Sequence, residues 1–198
     1  MSTGAIQEYD AFLIACYSVH TLTSKIKAAL PVEKHPLVLG IFEASVLMSL
    51  NLINQQAGPR PGARFGIVST GTFWHDHLTA GVEELLHLKA DKEGRYGNWF
   101  SGVETTGMSA GELHSLPPEE VRGRMKDAVK RLLEGQECRV VCLGCAGMAG
   151  MDDIVKEAAV EVLGAEEAKR LYIVDGIKAG IVLLEGMARM FPTRERGY

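Results

Sequence analysis

The chain has 198 residues, of which 46% are hydrophobic and 23% charged, and its formal net charge at pH 7 is -4. This composition is that of an ordinary globular protein, and the negative charge gives no reason to expect nucleic acid or an anionic membrane as a partner. Because no uncharged apolar run approaches the ~20 residues of a membrane span, and the start MSTGAIQEYD lacks a signal-peptide pattern, we expect a cytoplasmic protein.

The first part of the chain alternates short apolar strands with helices. Residues 10–15 (DAFLIA) and 36–41 (PLVLGI) are almost wholly apolar, as expected of strands that are covered on both faces. A helix from about residue 21 follows the first strand, and an apolar helix over 43–54 follows the second. The segment 55–63 (QQAGPRPGA) is rich in glycine and proline, which indicates a crossing between two lobes.

The next part begins with a strand over 65–68 (FGIV) that runs into the turn Ser69-Thr70-Gly71-Thr72. A helical pattern then continues through Leu88, and Thr72 is in position to be its N-cap. Residues 89–116 are polar and studded with glycine. We interpret them as a long loop that contains one irregular strand over 99–103.

The last part repeats the same alternation. A helix opens at Pro117 and carries apolar residues at helical spacing, and it leads into a buried strand over 140–143 that ends at Cys145. A helix over 152–163, a strand over 171–174 and a final helix through about Met190 complete the chain. Strands that alternate with helices predict an α/β fold with parallel sheets flanked by helices.

The two halves of the chain resemble each other around two cysteines. In FLIA-Cys16-Tyr-Ser and VCLG-Cys145-Ala-Gly, an apolar strand is followed by a cysteine, small or hydroxyl residues and a helix. The repeat predicts two similar lobes related by a pseudo-twofold axis, with the active-site cleft between them. We assign residues 1–58 and 171–198 to the first lobe and residues 59–170 to the second.

Cys16 and Cys145 are the candidate chemical groups. The carboxyl end of a parallel strand is where open α/β sheets place their chemistry, and a helix N-terminus there favours a thiolate. A lone cysteine is more often part of the core, but two in matching positions suit proton transfer at a stereogenic carbon, with one thiol on each face. Backbone N–H groups after each cysteine and the turn at Ser69-Thr70 would stabilise the anion on the adjacent carbonyl.

Metal binding is the weaker interpretation of the other cysteines and histidines. Cys138, Cys142 and Cys145 have a spacing known from iron–sulfur and redox sites, but the residues between them extend as a strand. We therefore predict no metal, with Cys142 in the core and Cys138 incidental. His75-Asp76-His77 reads as a surface cluster at a helix entry. His20 either tunes Cys16 or is simply a histidine at a helix start.

These segments resemble the aspartate/glutamate racemase superfamily, and specifically its hydantoin racemase branch, which includes allantoin racemases. The resemblance is most specific at LGCAGMAG around Cys145, and DAFLIACYS, GIFEASV, FGIVSTGT and IVDGI follow the expected order over residues 10 to 190. It implies a cofactor-independent racemase, often a homo-oligomer, acting on a small molecule such as a 5-substituted hydantoin or allantoin. Cys16 and Cys145 would be the acid/base residues, and the substrate would be lined by Tyr17, Ser18, Ser69, Thr70, Ala146 and Gly147.

Two departures from the superfamily's pattern shape these expectations. Amino-acid racemases typically have Asn-Thr after the first cysteine and Thr after the second, whereas Tyr17-Ser18 and Ala146-Gly147 stand here and suit a ring amide better than a free carboxylate. The family also usually has a strand, a helix and a second strand before the first cysteine, so we expect a shortened first lobe. A catalytically silent binding protein, or a racemase or isomerase of an amino acid or dicarboxylate, are the alternatives.

Overall fold

The computed structural model describes residues 8–30, 36–55, 63–89, 91, 99–134 and 137–191. Strands and helices alternate along these residues, which confirms the predicted α/β class. The strands are β1 (Ala11–Ile14), β2 (Leu37–Gly40), β3 (Arg64–Ser69), β4 (Phe100–Thr105), β5 (Cys138–Leu143) and β6 (Tyr172–Asp175). The helices are α1 (Thr21–Ala29), α2 (Ile41–Asn54), α3 (Phe73–Leu86), α4 (Glu112–Ser115), α5 (Pro118–Leu133), α6 (Asp152–Leu163), α7 (Ala165–Ala168) and α8 (Gly176–Met190).

The strands form two parallel sheets. β1 and β2 pair in the smaller sheet, and the larger sheet has the order β4-β3-β5-β6. Parallel pairing places all the carboxyl ends of a sheet on one edge, which is the edge where α/β proteins bind their ligands. The predicted crossing over 55–63 lies almost wholly outside the described residues.

Strand β6 differs from the predicted division of the chain. We assigned residues 171–198 to the first lobe, yet β6 pairs with β5 in the larger sheet, with Leu143 opposite Asp175. Helix α8, which follows at once, packs against β1, β2 and α2. The chain therefore passes from one sheet to the other at Asp175-Gly176, and the rest of the division into lobes stays a prediction.

The larger sheet separates two apolar clusters. Along β5, Val140 and Cys142 face the cluster that contains α2 and α3, whereas Val141 and Leu143 face the cluster beneath α5 and α6. This alternation is the period of a strand that is buried on both faces. Helix α2 contributes residues to this first cluster. It contacts β2 of the smaller sheet and β3, β5 and β6 of the larger sheet, so it lies between the two sheets.

Cys138 is fully buried at the start of β5, which agrees with a strand residue that has no chemical role. Two local predictions need correction. Thr72 stands before α3 but makes no capping hydrogen bond, since its backbone is already helical (φ -57°, ψ -29°). The predicted loop over 89–116 contains strand β4, whose pairing with β3 shifts register between Phe100 and Val103 and is therefore irregular as predicted, but it also contains the short helix α4, which was not predicted. Among the described residues, no helix is both long and apolar enough to cross a membrane.

Replacing two glycines of α8 by alanine should have opposite effects on stability, because only one of them lies where α8 approaches α2 closely. A Cβ on Gly176 would lie 2.9 Å from the backbone oxygen of Ile41, whereas a Cβ on Gly186 would meet nothing within 4 Å. Gly176→Ala should lower the free energy of unfolding by about 1–3 kcal/mol through overpacking. Gly186→Ala should raise it by about 0.5–1 kcal/mol, because alanine favours a helix. Urea unfolding of both variants checks the pair, and a stabilising Gly176→Ala would contradict this packing.

Candidate active site

The loop that carries Cys145 is fixed to the end of strand β3. The Ser69 hydroxyl donates a hydrogen bond to the Gly144 carbonyl (2.7 Å), and the Gly144 N–H donates to the Val68 carbonyl (2.7 Å). A Cβ on Gly144 would lie 2.8 Å from the Val68 oxygen, so only glycine allows this approach. The two strand ends are therefore held in register immediately before Cys145.

A 3₁₀ turn over Ala146–Met148 follows Cys145 directly. The Met148 N–H donates to the Cys145 carbonyl (3.0 Å), and Met148 is fully buried. The N–H groups of Ala146 and Gly147 stand at the head of the turn, where no carbonyl of the same turn can accept from them. Helix α6 begins at Asp152, where its start was predicted, so this short turn is the backbone segment that borders Cys145.

Ser69 and Thr70 are buried in the loop after β3. The Ser69 carbonyl accepts from the Thr106 N–H (2.9 Å), and the Thr70 carbonyl accepts from the Gly107 N–H (3.1 Å). Because the Ser69 hydroxyl already donates to Gly144, that side chain has a structural role in this loop. Contact of Ser69 and Thr70 with a substrate stays a prediction.

Cys16 is exposed and lies two residues beyond Ile14, the last residue of strand β1 in the smaller sheet. Its sulfur lies 3.5 Å from the Ser18 hydroxyl oxygen, and the Ser18 N–H donates to the Cys16 carbonyl (3.0 Å). His20 is the N-cap of α1, where its Nδ1 accepts from the Leu22 N–H (3.1 Å). Of the two interpretations of His20, the structure therefore supports the helix-start histidine.

Tyr17 anchors the Cys16 loop to helix α2. Its side chain is buried, its hydroxyl lies 2.6 Å from Ser45 Oγ, and its ring meets Phe42 edge-to-face with a centroid distance of 5.6 Å. Burial raises the pKa of the Tyr17 hydroxyl well above its ordinary value. Because Ser45 donates its own hydroxyl proton to the Phe42 carbonyl (2.9 Å), the Tyr17 hydroxyl must be the donor to Ser45.

The same anchor brings the Cys16 loop against elements of the larger sheet. The Tyr17 ring lies 3.3 Å from the position of a Cβ on Gly176, directly after β6, and Val19 lies 3.0 Å from the corresponding position on Gly81 of α3. One turn further along α2, the Ser49 hydroxyl oxygen lies 3.0 Å from the sulfur of Cys142 in β5. The structure thus packs the Cys16 loop on the sheet whose central strand leads to Cys145.

Burial divides the four cysteines into two kinds. Cys138 and Cys142 are fully buried, and loss of hydration raises their pKa values to about 12 and about 11. Cys16 is exposed and Cys145 is half-buried, so reagents and substrates can reach both. A buried thiol with a raised pKa is a poor base or nucleophile, which leaves Cys16 and Cys145 as the candidate reactive groups.

The predicted surface cluster at the start of α3 is present. His75 Nδ1 lies 2.7 Å from the Asp76 carboxylate, and His77 stacks on Phe73 with a centroid distance of 5.4 Å. Within the part of the chain that the structure describes, no group of three His, Cys, Asp or Glu side chains is arranged to hold a metal ion.

Two further side chains near the strand ends were missed by the sequence analysis. The Glu43 carboxylate folds over Gly40 at the end of β2, and burial raises its pKa. His114 in α4 lies beside Gly147, with Nε2 3.2 Å from the position of a Cβ there. The capping-box spacing of Ser109 and Glu112 was the signal for a helical turn at His114.

Comparisons with known proteins agree with this fold. The family model described as Asp/Glu/Hydantoin racemase matches residues 3–184. An uncharacterized protein of Schizosaccharomyces pombe is 30% identical over 183 residues, which are 92% of this chain and 65% of that protein. A hydantoin racemase of Pseudomonas sp. strain NS671 is 27% identical over 92% of this chain and 59% of its own length. The structure of allantoin racemase from Pseudomonas fluorescens matches with a TM-score of 0.62 and 21% identity, over 92% of this chain and 63% of that one.

The division of the cysteines predicts the labelling pattern of the folded protein. Iodoacetamide near neutral pH should alkylate Cys16 and Cys145 and spare Cys138 and Cys142, because the second pair is buried and protonated. Peptide mass spectrometry identifies the labelled sites. All four cysteines should react in denaturant, which is the control, and rapid labelling of Cys142 in the native protein would contradict the assignment.

Proposed function

Because the chain belongs to the Asp/Glu/hydantoin racemase family, we propose that it is a cofactor-independent racemase of 5-substituted hydantoins or allantoin. Cys16 and Cys145 are its two acid/base groups in this proposal. The observation that carries it is that these two thiols alone, of the chain's four, are accessible, and each follows the carboxyl end of a parallel strand. The chain spans 65% of the length of the Schizosaccharomyces pombe protein and 59% of the length of the hydantoin racemase.

The reaction moves one proton off a carbon and another onto it. One cysteine, as a thiolate, removes the proton from the stereogenic carbon, and the C–H electron pair moves toward the adjacent carbonyl. The second cysteine then delivers its thiol proton to the opposite face. The proton inventory balances, the configuration inverts, and the two cysteines exchange roles when the other enantiomer is the substrate.

Backbone groups beside Cys145 suit the anion that forms on the carbonyl. The N–H groups of Ala146 and Gly147 head the 3₁₀ turn, and fixed donors aimed at a developing oxyanion are a strong source of transition-state stabilisation. Neither residue brings a charged side chain to the substrate. The absence of a charged side chain at these two positions favours a substrate with a neutral ring amide over one with a free carboxylate. Amino-acid racemases of this superfamily bind the carboxylate with hydroxyl and amide side chains.

A catalytically silent binding protein of the same fold is the second candidate. The observation that favours it is the small first sheet, which contains only β1 and β2 within the described residues. A silent protein would bind a cyclic ureide without exchanging its α-proton for solvent deuterium. The isotope experiment therefore separates the two candidates.

The proposal predicts loss of optical rotation from a single enantiomer of allantoin or 5-benzylhydantoin. In deuterated water, the product should carry deuterium at the inverted carbon, as seen by NMR and mass spectrometry. Aspartate under the same conditions tests the amino-acid alternative. Binding of the hydantoin without any exchange would favour the silent protein and contradict the proposal.

Single-cysteine variants test the two faces separately. Cys16→Ser and Cys145→Ser should each lower racemisation by about 10²–10⁴-fold, the usual contribution of a positioned acid or base. Each variant should still exchange the α-proton of one enantiomer, with opposite preference, because one thiolate remains on one face. Cys138→Ser is the matched control, because Cys138 lies in β5, the strand that precedes the Cys145 loop. Full racemisation by either single variant would exclude the two-cysteine mechanism.

A further inference from the structure

The side chain of His114 shares one small space with the sulfur of Cys145. A Cβ built on Gly147 would lie 3.2 Å from His114 Nε2 and 3.7 Å from Cys145 Sγ. Both atoms are thus at contact distance from a single point that the glycine leaves empty. A nitrogen that can accept a proton and a thiol that can lose one therefore converge on the same side of the 3₁₀ turn.

Local hydrogen bonds hold His114 in this place. The Ser109 N–H donates to the Glu112 carboxylate (2.7 Å), and the Glu112 N–H lies 3.3 Å from the Ser109 hydroxyl oxygen, which accepts from it. This reciprocal pair is a capping box at the start of α4. Leu113 is buried beside it and also lies 3.3 Å from the Cβ position of Gly147. The turn is therefore fixed against the Cys145 loop, although it has only four residues.

The two thiols differ in their access to water. Cys16 is exposed and can exchange its proton with solvent directly, whereas Cys145 is half-buried. His114 is an exposed residue. Imidazole takes up and releases protons near neutral pH, so it is suited to carry a proton between a sheltered group and water.

A two-base racemase must reset the protonation states of its two groups between turnovers. After each turnover the thiol that began as a base holds the proton, and the other thiol has lost its own. Another substrate of the same handedness cannot react until both protonation states are reset. We propose that His114 is the positioning residue that resets Cys145, by exchanging the proton of its thiol with solvent. This inference rests on the function proposed above.

The proton transfer involves no redox change. The S–H bond of Cys145 breaks, the electron pair stays on sulfur, and a new N–H bond forms at Nε2 of His114. The resulting imidazolium then releases a proton to water. The reverse sequence returns a proton to the thiolate when the other enantiomer is consumed.

Cysteine alkylation tests this inference without relying on racemisation. His114→Asn should slow iodoacetamide labelling of Cys145 at neutral pH by about tenfold, because asparagine cannot take up the thiol proton and the thiolate–imidazolium state that reacts is lost. Labelling of Cys16 in the same molecule should not change. His87→Asn is the matched control, since His87 is an exposed histidine at the far end of α3 with a left-handed backbone that asparagine tolerates. An unchanged rate at Cys145, or an equal loss at Cys16 or in His87→Asn, would overturn the inference.

Chemical rescue distinguishes proton transfer from a merely structural role. His114→Ala should lower the kcat of racemisation by about tenfold or more, with little change in KM, and added imidazole should restore the rate. A packing defect would not respond to imidazole, so absence of rescue would contradict the proton-transfer role. If the unaltered protein racemises none of the substrates, the proposed function fails, while the alkylation rates still decide whether His114 acts on Cys145.

Discussion

The hydrogen bond between Tyr17 and Ser45 is the constraint on which the arrangement of the candidate site depends. Ser45 uses its own proton on the Phe42 carbonyl, and Ser49 uses its proton on the Ser45 carbonyl, so Tyr17 and Cys142 are the donors to these two serines. Every hydroxyl and thiol in the cluster then has a partner. Burial raises the pKa values of both donors, which keeps them protonated and preserves this direction. The cluster joins the Cys16 loop, α2 and β5 into one packed unit.

This unit gives the two accessible cysteines unequal surroundings. Cys145 follows β5, a central strand of the four-stranded sheet, and the hydrogen bond from Ser69 to Gly144 ties its loop to the end of β3. Cys16 follows a strand of the smaller sheet, and its loop is positioned mainly through the Tyr17 side chain. A pair of acid/base groups needs fixed positions rather than identical supports.

The sequence was sufficient to predict the helices and strands that are marked by a pattern of apolar residues within the element itself. The boundaries of α6 and the positions of β1, β2, β3 and α5 follow directly from apolar runs and helical spacing. Cys16 and Cys145 were proposed as site residues because a cysteine after a strand end is a local pattern. The pairing of β6 with β5 was missed, because the residue pattern of a strand does not determine which sheet the strand joins.

The remaining differences arise from long-range packing. The predicted cap at Thr72 failed because the backbone enters the helix one residue early. His114 lies in a glycine-rich loop whose distance from Cys145 no spacing rule gives. Its capping box was readable in the sequence, but its contact with Gly147 needed the fold.

The central claim is that one carbon can be approached by Cys16 and Cys145 from opposing sides, and a short bifunctional thiol reagent measures this most directly. Dibromobimane becomes fluorescent when both of its arms alkylate sulfur, and peptide mass spectrometry identifies the sulfurs that it joins. The account predicts one intramolecular bridge between Cys16 and Cys145, absent from both single serine variants. Separate adducts on the two cysteines, with no bridge between them, would contradict it.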